Sequence, residues 1–227
     1  MKGLRLSDLL DHLSVDPDAL PDNLLVELLG GIVRSVAALH QAPGQPRHGA
    51  LNPSRVVITP EGSIVLLECG LADSIEKLQR NREQLWREFG LAMPPSASLP
   101  RFDRRTDVTQ LAAIVLALVL RRPLGAEEYP RGIGDLIVEA TSRGDAALGS
   151  ALRMWLQQAM QLHARANFAT AADAEQALAQ LPAATGSRRA AGQAIRALVR
   201  LVCDEQPDGI LLAFPVLHPA FPKLQAS

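Results

Sequence analysis

Apolar side chains recur along much of the chain every three or four residues, the period of an amphipathic helix. Leu24, Leu25, Leu28, Leu29, Val33, Val36, Ala37 and His40 form one such stripe, ended by Gln41-Ala42-Pro43-Gly44-Gln45-Pro46. Ahead of it, Ser7 is expected to cap a short helix, Asp8 to Leu13, and Pro17 and Pro21 break the loop between the two. Arg55–Thr59 and Ser63–Leu67 are β-rich runs joined by Pro60-Glu61-Gly62, a hairpin pattern. A charged helical stretch is expected near Lys77–Phe89, followed by a Pro/Ser-rich loop at 94–100. Asp107 to Leu120 reads as a central buried helix, closed by Arg121-Arg122-Pro123; its most apolar run, from Leu111, has about half the length of a bilayer span. Weaker helical patterns follow at Ile133–Ala140, Ala146–Leu162, Ala171–Leu181 and Arg189–Val202. The stretch from Pro182 to Ser187 is a linker pattern, dividing the chain into a domain of residues 1–182 and an appendage of 183–227. One hairpin among so many helices excludes a doubly wound sheet or a barrel, and the fold class expected is mainly α with one small β-hairpin.

Composition changes this picture little. Hydrophobic residues are 48% and charged residues 21%, which is globular rather than disordered. Aromatics at 4% leave the core to Leu, Val, Ile and Ala. The near balance of 23 Lys and Arg against 24 Asp and Glu argues against nucleic acid or a membrane surface as partner. Cys69 and Cys203 have neither a disulfide framework nor metal-ligand spacing. No signal sequence opens the chain, so a reducing cytoplasm is the expected location.

Four local motifs, in order and at fitting distances, resemble a protein kinase from its hinge onward. His48-Gly49-Ala50-Leu51-Asn52-Pro53-Ser54-Arg55 is similar to the catalytic-loop stretch His-Arg-Asp-Leu-Lys-Pro-x-Asn, and Glu68-Cys69-Gly70-Leu71-Ala72 to Asp-Phe-Gly-Leu-Ala. Arg105-Thr106-Asp107-Val108-Thr109-Gln110-Leu111 resembles the Ser-Asp-Val-Trp-Ser-Leu start of the long buried helix, and Asn167-Phe168-Ala169-Thr170-Ala171-Ala172-Asp173 the entry to the last one. The likeness covers residues 4–181. It implies the helical bundle of a kinase C-terminal lobe with the N-terminal lobe absent, since the Gly-rich loop, the strand lysine and its glutamate partner have no counterpart. In outline it also resembles the kinase noncatalytic C-lobe domain, which has an interaction role.

The same comparison implies that the chemistry is gone. The proton-accepting aspartate is matched by Ala50, which cannot accept a proton. The lysine that steadies the transferred group is matched by Asn52, and the asparagine that holds a second magnesium by Arg55, a cation that repels the metal. Glu68 stands where an aspartate binds the bridging magnesium and keeps an oxygen donor on a longer arm. His48, Gly70 and Asp107 match structural positions. In the family that aspartate accepts hydrogen bonds from the catalytic-loop backbone, so Asp107 is expected to be buried and bonded near His48–Ala50. Met93-Pro94-Pro95 and Asn167 fall where a glutamate and its arginine partner would form an ion pair, so both ends are lost together.

Blander readings stand beside these. Glu68 without a second acidic ligand nearby reads as a solvated strand-end carboxylate, and no metal is expected. His48 reads as a packed, hydrogen-bonded core histidine rather than a base; His40 and His163 read as helix-end residues suited to the dipole. Cys69, between Leu67 and Leu71, is expected to fill apolar space. Arg101, Arg104, Arg105, Arg121 and Arg122 read as a solvated basic face rather than a phosphate site, and Arg188, Arg189, Arg196 and Arg200 repeat that choice. The tail Ile210–Phe221 is apolar and broken by prolines, so Leu211, Leu212, Phe214 and Phe221 are candidate partner-binding residues that either dock on their own domain or bind a partner. The function expected is a noncatalytic kinase-like module that acts as a protein–protein scaffold or adaptor, binds no ATP and uses no cofactor. The alternative is half of a split nucleotide-binding kinase whose N-lobe comes from another chain.

Overall fold

The computed structural model describes residues 3–44, 46–96, 98–142, 146–163 and 165–181, together with residues 193, 195–197, 199 and 202. The order is β1 (Leu4–Arg5), α1 (Leu6–Val15), α2 (Asp22–Gln41), β2 (Val56–Ile58), β3 (Ile64–Leu66), α3 (Ala72–Glu76), α4 (Arg82–Phe89), α5 (Arg104–Leu120), α6 (Ile133–Thr141), α7 (Ala146–Ala159) and α8 (Ala171–Leu178). The protein is therefore mainly helical around one small antiparallel sheet.

That sheet corrects the expected hairpin. It has three strands in the order β1-β2-β3, because Leu4 pairs with Ile58 and Arg5 with Val57 on the outer side of β2. The same pairing overturns the expected Ser7 cap. The strand turns directly into α1 at Leu6, the position before it is Arg5 without a side-chain cap, and Ser7 Oγ donates to its neighbour Asp8 instead. Between β2 and β3 the expected turn is present, with Thr59 N–H donating to Ser63 O at 2.8 Å and Gly62 at φ +84°.

The helix expected near Lys77–Phe89 starts later: α3 ends at Glu76, the chain turns through Gln79 at φ +51°, and Asn81 starts α4 with a reciprocal capping box in which Gln84 N–H donates to Asn81 Oδ1 at 2.9 Å while Asn81 N–H donates to Gln84 Oε1 at 3.0 Å.

Helix α5 is the axis of the fold. Every residue from Thr106 to Leu118 is buried, so the helix has no solvent face. Its cap is Asp103, whose carboxylate accepts from Thr106 N–H at 2.9 Å; the helix thus begins one turn before Asp107, where the sequence pattern placed its start. Helix α2 buries nine residues along the expected stripe and meets β3, α5 and α8. By length and composition alone α2 could cross a membrane, but half of that stretch is buried against its neighbours. Helices α6 and α7 pack as a pair against the far side of α5, and Trp155 Nε1 of α7 donates to Ala174 O of α8 at 2.8 Å.

Beyond α8, the described residues of the last helical pattern are helical, and Ile195, Val199 and Val202 join the main core. Arg196 Nε donates to Glu61 O in the β2–β3 turn at 3.0 Å, which ties this part of the appendage to the sheet. The linker 182–187 and the tail, with Leu211, Leu212, Phe214 and Phe221, lie outside the described residues.

Candidate functional site

The segment 48–51 runs between α2 and β2 and is held from below by the first turns of α5. Asp107 is fully buried and accepts three hydrogen bonds: from His48 N–H to Oδ2 at 2.8 Å, from Gly49 N–H to Oδ1 at 2.5 Å, and from His40 Nε2 to Oδ2 at 2.8 Å. The bonds expected from the 48–50 backbone are therefore present. Three residues on, Gln110 repeats the grip: its Oε1 accepts from Leu51 N–H at 2.7 Å and its Nε2 donates to Gly49 O at 3.0 Å. One helix face thus satisfies three donors and one acceptor of a buried loop, which could not be left unpaired without cost.

The expectation for His40 was a helix-end residue facing the dipole. It does lie in the last turn of α2, but it is buried and bridges two other helices. Its Nδ1 accepts from Ala171 N–H at the start of α8 at 3.4 Å, so the proton donated to Asp107 sits on Nε2. His163 lies beyond the end of α7, with its N–H donating to Asn167 Oδ1.

His48 is a core histidine with both ring nitrogens committed. Nε2 donates to Leu67 O at 2.9 Å, and Nδ1 accepts from Ala50 N–H at 3.3 Å. Burial in the apolar interior pushes its pKa below the ordinary histidine value, against the pull of Asp107. A proton added at Nδ1 would also displace the Ala50 bond. Because the folded-state pKa is the lower one, the unfolded chain binds more protons in the interval beneath about 6.5. Stability carried by this group is full above that value and falls as pH drops below it. Urea midpoints should therefore decrease between pH 7.5 and 5.5; a flat or rising profile over that range would show that His48 does not titrate with unfolding.

The positions matched to catalytic ones are all engaged in other ways. Ala50 is buried, and its carbonyl accepts from Arg55 Nη1 at 2.9 Å. Arg55 Nε donates to Glu68 Oε2 at 2.7 Å, so the carboxylate expected to be merely solvated is half of an ion pair with a mostly buried guanidinium. Asn52 Nδ2 donates to Phe89 O at 2.9 Å and its Oδ1 accepts from Ser54 Oγ at 2.8 Å, which ties the loop to the end of α4. Gly49 and Gly70 occupy left-handed backbone, at φ +70° and +106°.

Two further expectations need correction. Cys69 is exposed rather than filling apolar space, and follows Glu68 at φ +58°. Partial burial still raises its thiol pKa, which keeps the reactive thiolate scarce. The expected basic face is also divided: Arg121 binds the carbonyls of Pro17 and Leu20 and pairs with Asp22, while Arg122 pairs with Glu128 at 2.7 Å. Where the resemblance would place one end of an ion pair, Met93 is buried, and its backbone is clasped by Tyr129, whose hydroxyl accepts from Met93 N–H at 2.8 Å and donates to Met93 O.

His40 and Gln110 belong to this hub although the motifs alone do not point to them. The signals are nevertheless present in the sequence: His40 completes an apolar stripe, so it has to be buried and bonded, and Gln110 is a polar interruption of an apolar helix three residues after Asp107. No family model matches the chain, and no curated protein is similar to it.

Proposed function

We propose that this chain is a noncatalytic, kinase-like C-terminal lobe that works as a protein-interaction module. The observation that carries the proposal is the Arg55–Glu68 ion pair. It joins two positions at which the kinase resemblance places magnesium ligands, and it puts a guanidinium there, with Ala50 alongside where the proton acceptor would be. Phosphoryl transfer depends on positioning and charge stabilisation, so a cation with no base gives it no footing.

The Asp107 hub supports the same reading from the other side. It is the arrangement the resemblance implies for the structural aspartate, maintained with Gln110 and His40 while the chemical positions have changed. Such a division fits a fold kept for its surface. The partner would be another protein, in keeping with a formal net charge of −1, and the cytoplasm is the compartment that fits. The Arg55–Glu68 pair also weighs against the split-kinase alternative, which needs these positions for metal. The test is a thermal-melt titration with MgATP, for which no saturable rise in Tm is expected.

A further inference from the structure

His48 and Arg55 hold Ala50 from two sides. His48 Nδ1 accepts from Ala50 N–H at 3.3 Å, and Arg55 Nη1 donates to Ala50 O at 2.9 Å. The other end of each side chain is fixed just beyond β3: His48 Nε2 donates to Leu67 O at 2.9 Å, and Arg55 Nε to Glu68 Oε2 at 2.7 Å. Ala50 is thus joined twice to residues 67 and 68, and one of the two links passes through an imidazole, the side chain that titrates nearest to neutrality. A ring that accepts at Nδ1 and donates at Nε2 is neutral, since the imidazolium has two N–H groups and no lone pair with which to accept. A proton taken up at Nδ1 therefore sets one N–H against another, that of Ala50, and adds a second cation beside the Arg55 guanidinium.

The charged groups facing the ring come from three directions. Asp107 lies on α5, Arg55 on the loop before β2 and Glu68 after β3, while His40 of α2 sits on the far side of the Asp107 carboxylate. Burial is the largest influence and opposes a charge on the ring; Asp107 and Glu68 favour one, and Arg55 opposes it. Release of Arg55 from Ala50 removes that repulsion and admits water, so the open arrangement takes up the proton more readily than the closed one. We infer that His48 is an acid-operated latch on the Arg55–Glu68 ion pair. With the ring neutral, the pair is closed over Ala50. Protonation at Nδ1 frees Ala50 and releases the pair, while His48 and Gly49 stay bound to Asp107 through their N–H groups and Leu51 to Gln110. A guanidinium that is mostly buried at neutral pH and a carboxylate then become available at the surface together. The latch stands whether or not the lobe binds nucleotide, so its failure would leave the proposed function untouched.

Amide-resolved hydrogen exchange on the full chain tests it, as protection relative to the intrinsic rate at pH 7.5 and 5.5, an interval in which imidazoles titrate and carboxylates ordinarily stay ionised. In the parent, protection at Ala50 should fall by about tenfold or more on acidification, with the α5 amides changing less, and the Arg55 Nε–H resonance should move toward its solvent-exposed position. His48→Asn sets an amide oxygen near the place of Nδ1, where it accepts from Ala50 N–H without titrating, so Ala50 should stay protected at both pH values. His48→Gln keeps a donor toward Leu67 O but leaves Ala50 N–H without its acceptor, so it should show the acid behaviour already at pH 7.5. The first comparison needs no variant: unchanged protection at Ala50 in the parent, or an equal fall throughout α5, would overturn the latch. A fall in His48→Asn as large as the parent's would overturn the assignment to His48, another group then carrying the proton.

Discussion

Asp107→Ala should lower the stability of this protein by about 2–4 kcal/mol, read as a shift of the urea midpoint at unchanged slope. The size follows from what the substitution strands. His48 N–H, Gly49 N–H and His40 Nε2 all donate to this carboxylate inside a water-excluded core, and alanine offers none of them a replacement. The damage would spread through contact: with Asp107 gone, His40 loses the anchor that orients it toward Ala171, and α2, α5 and α8 lose a shared bond. Asp107→Asn should rescue little, because all three neighbours are donors and the amide nitrogen is one more. Coincident melts for parent and Asp107→Ala would show that the hub does not hold the loop.

Gly49→Ala should cost at least as much, about 2–5 kcal/mol. Two separate costs add at this position. The residue sits at φ +70°, where an L side chain is strained by roughly 1–2 kcal/mol. A Cβ there would also overlap the Cβ of Ala72 at the start of α3, and overpacking of that kind costs typically about 1–3 kcal/mol. Ala72 belongs to the smaller buried cluster with Ala50, Ile75, Leu85, Leu91, Met93 and Phe102, so relief by movement would have to displace α3 from that cluster. Gly134→Ala is the matched control: it lies inside α6 with nothing near its would-be Cβ, and it should be neutral or slightly stabilising. A Gly49→Ala melt that overlays the parent would mean that the loop can adopt another backbone path.

Helices with a one-sided or unbroken apolar pattern are legible in the amino-acid order itself. The α2 stripe and the apolar run of α5 read correctly because burial alone decides their position. Asp107 is legible for a related reason, since a carboxylate at the head of an apolar helix must find donors. What does not read through is set by contacts distant in sequence. β1 is two residues long and is a strand only because β2 offers it an edge. The start of α4 at Arg82 depends on a reciprocal cap between Asn81 and Gln84, which a charge-and-period reading misses, so that it begins the helix near Lys77. Taken singly, Arg55 is a metal-repelling cation and Glu68 a solvated acid. Thirteen positions separate them, and only the antiparallel return of β3 along β2, with Leu67 N–H bonded to Arg55 O, brings them together.

The central claim is that the Arg55–Glu68 pair has replaced a magnesium–nucleotide site in a lobe kept for its surface. A thermal-melt titration of the full chain with ATP and magnesium tests this most directly. A ligand at 100 times its Kd would add about 2.7 kcal/mol to the folded state, which a melt reads easily. The account predicts a Tm that does not change with MgATP concentration, for the parent and for Glu68→Ala alike. A saturable, magnesium-dependent rise in the parent that Glu68→Ala abolishes would contradict it.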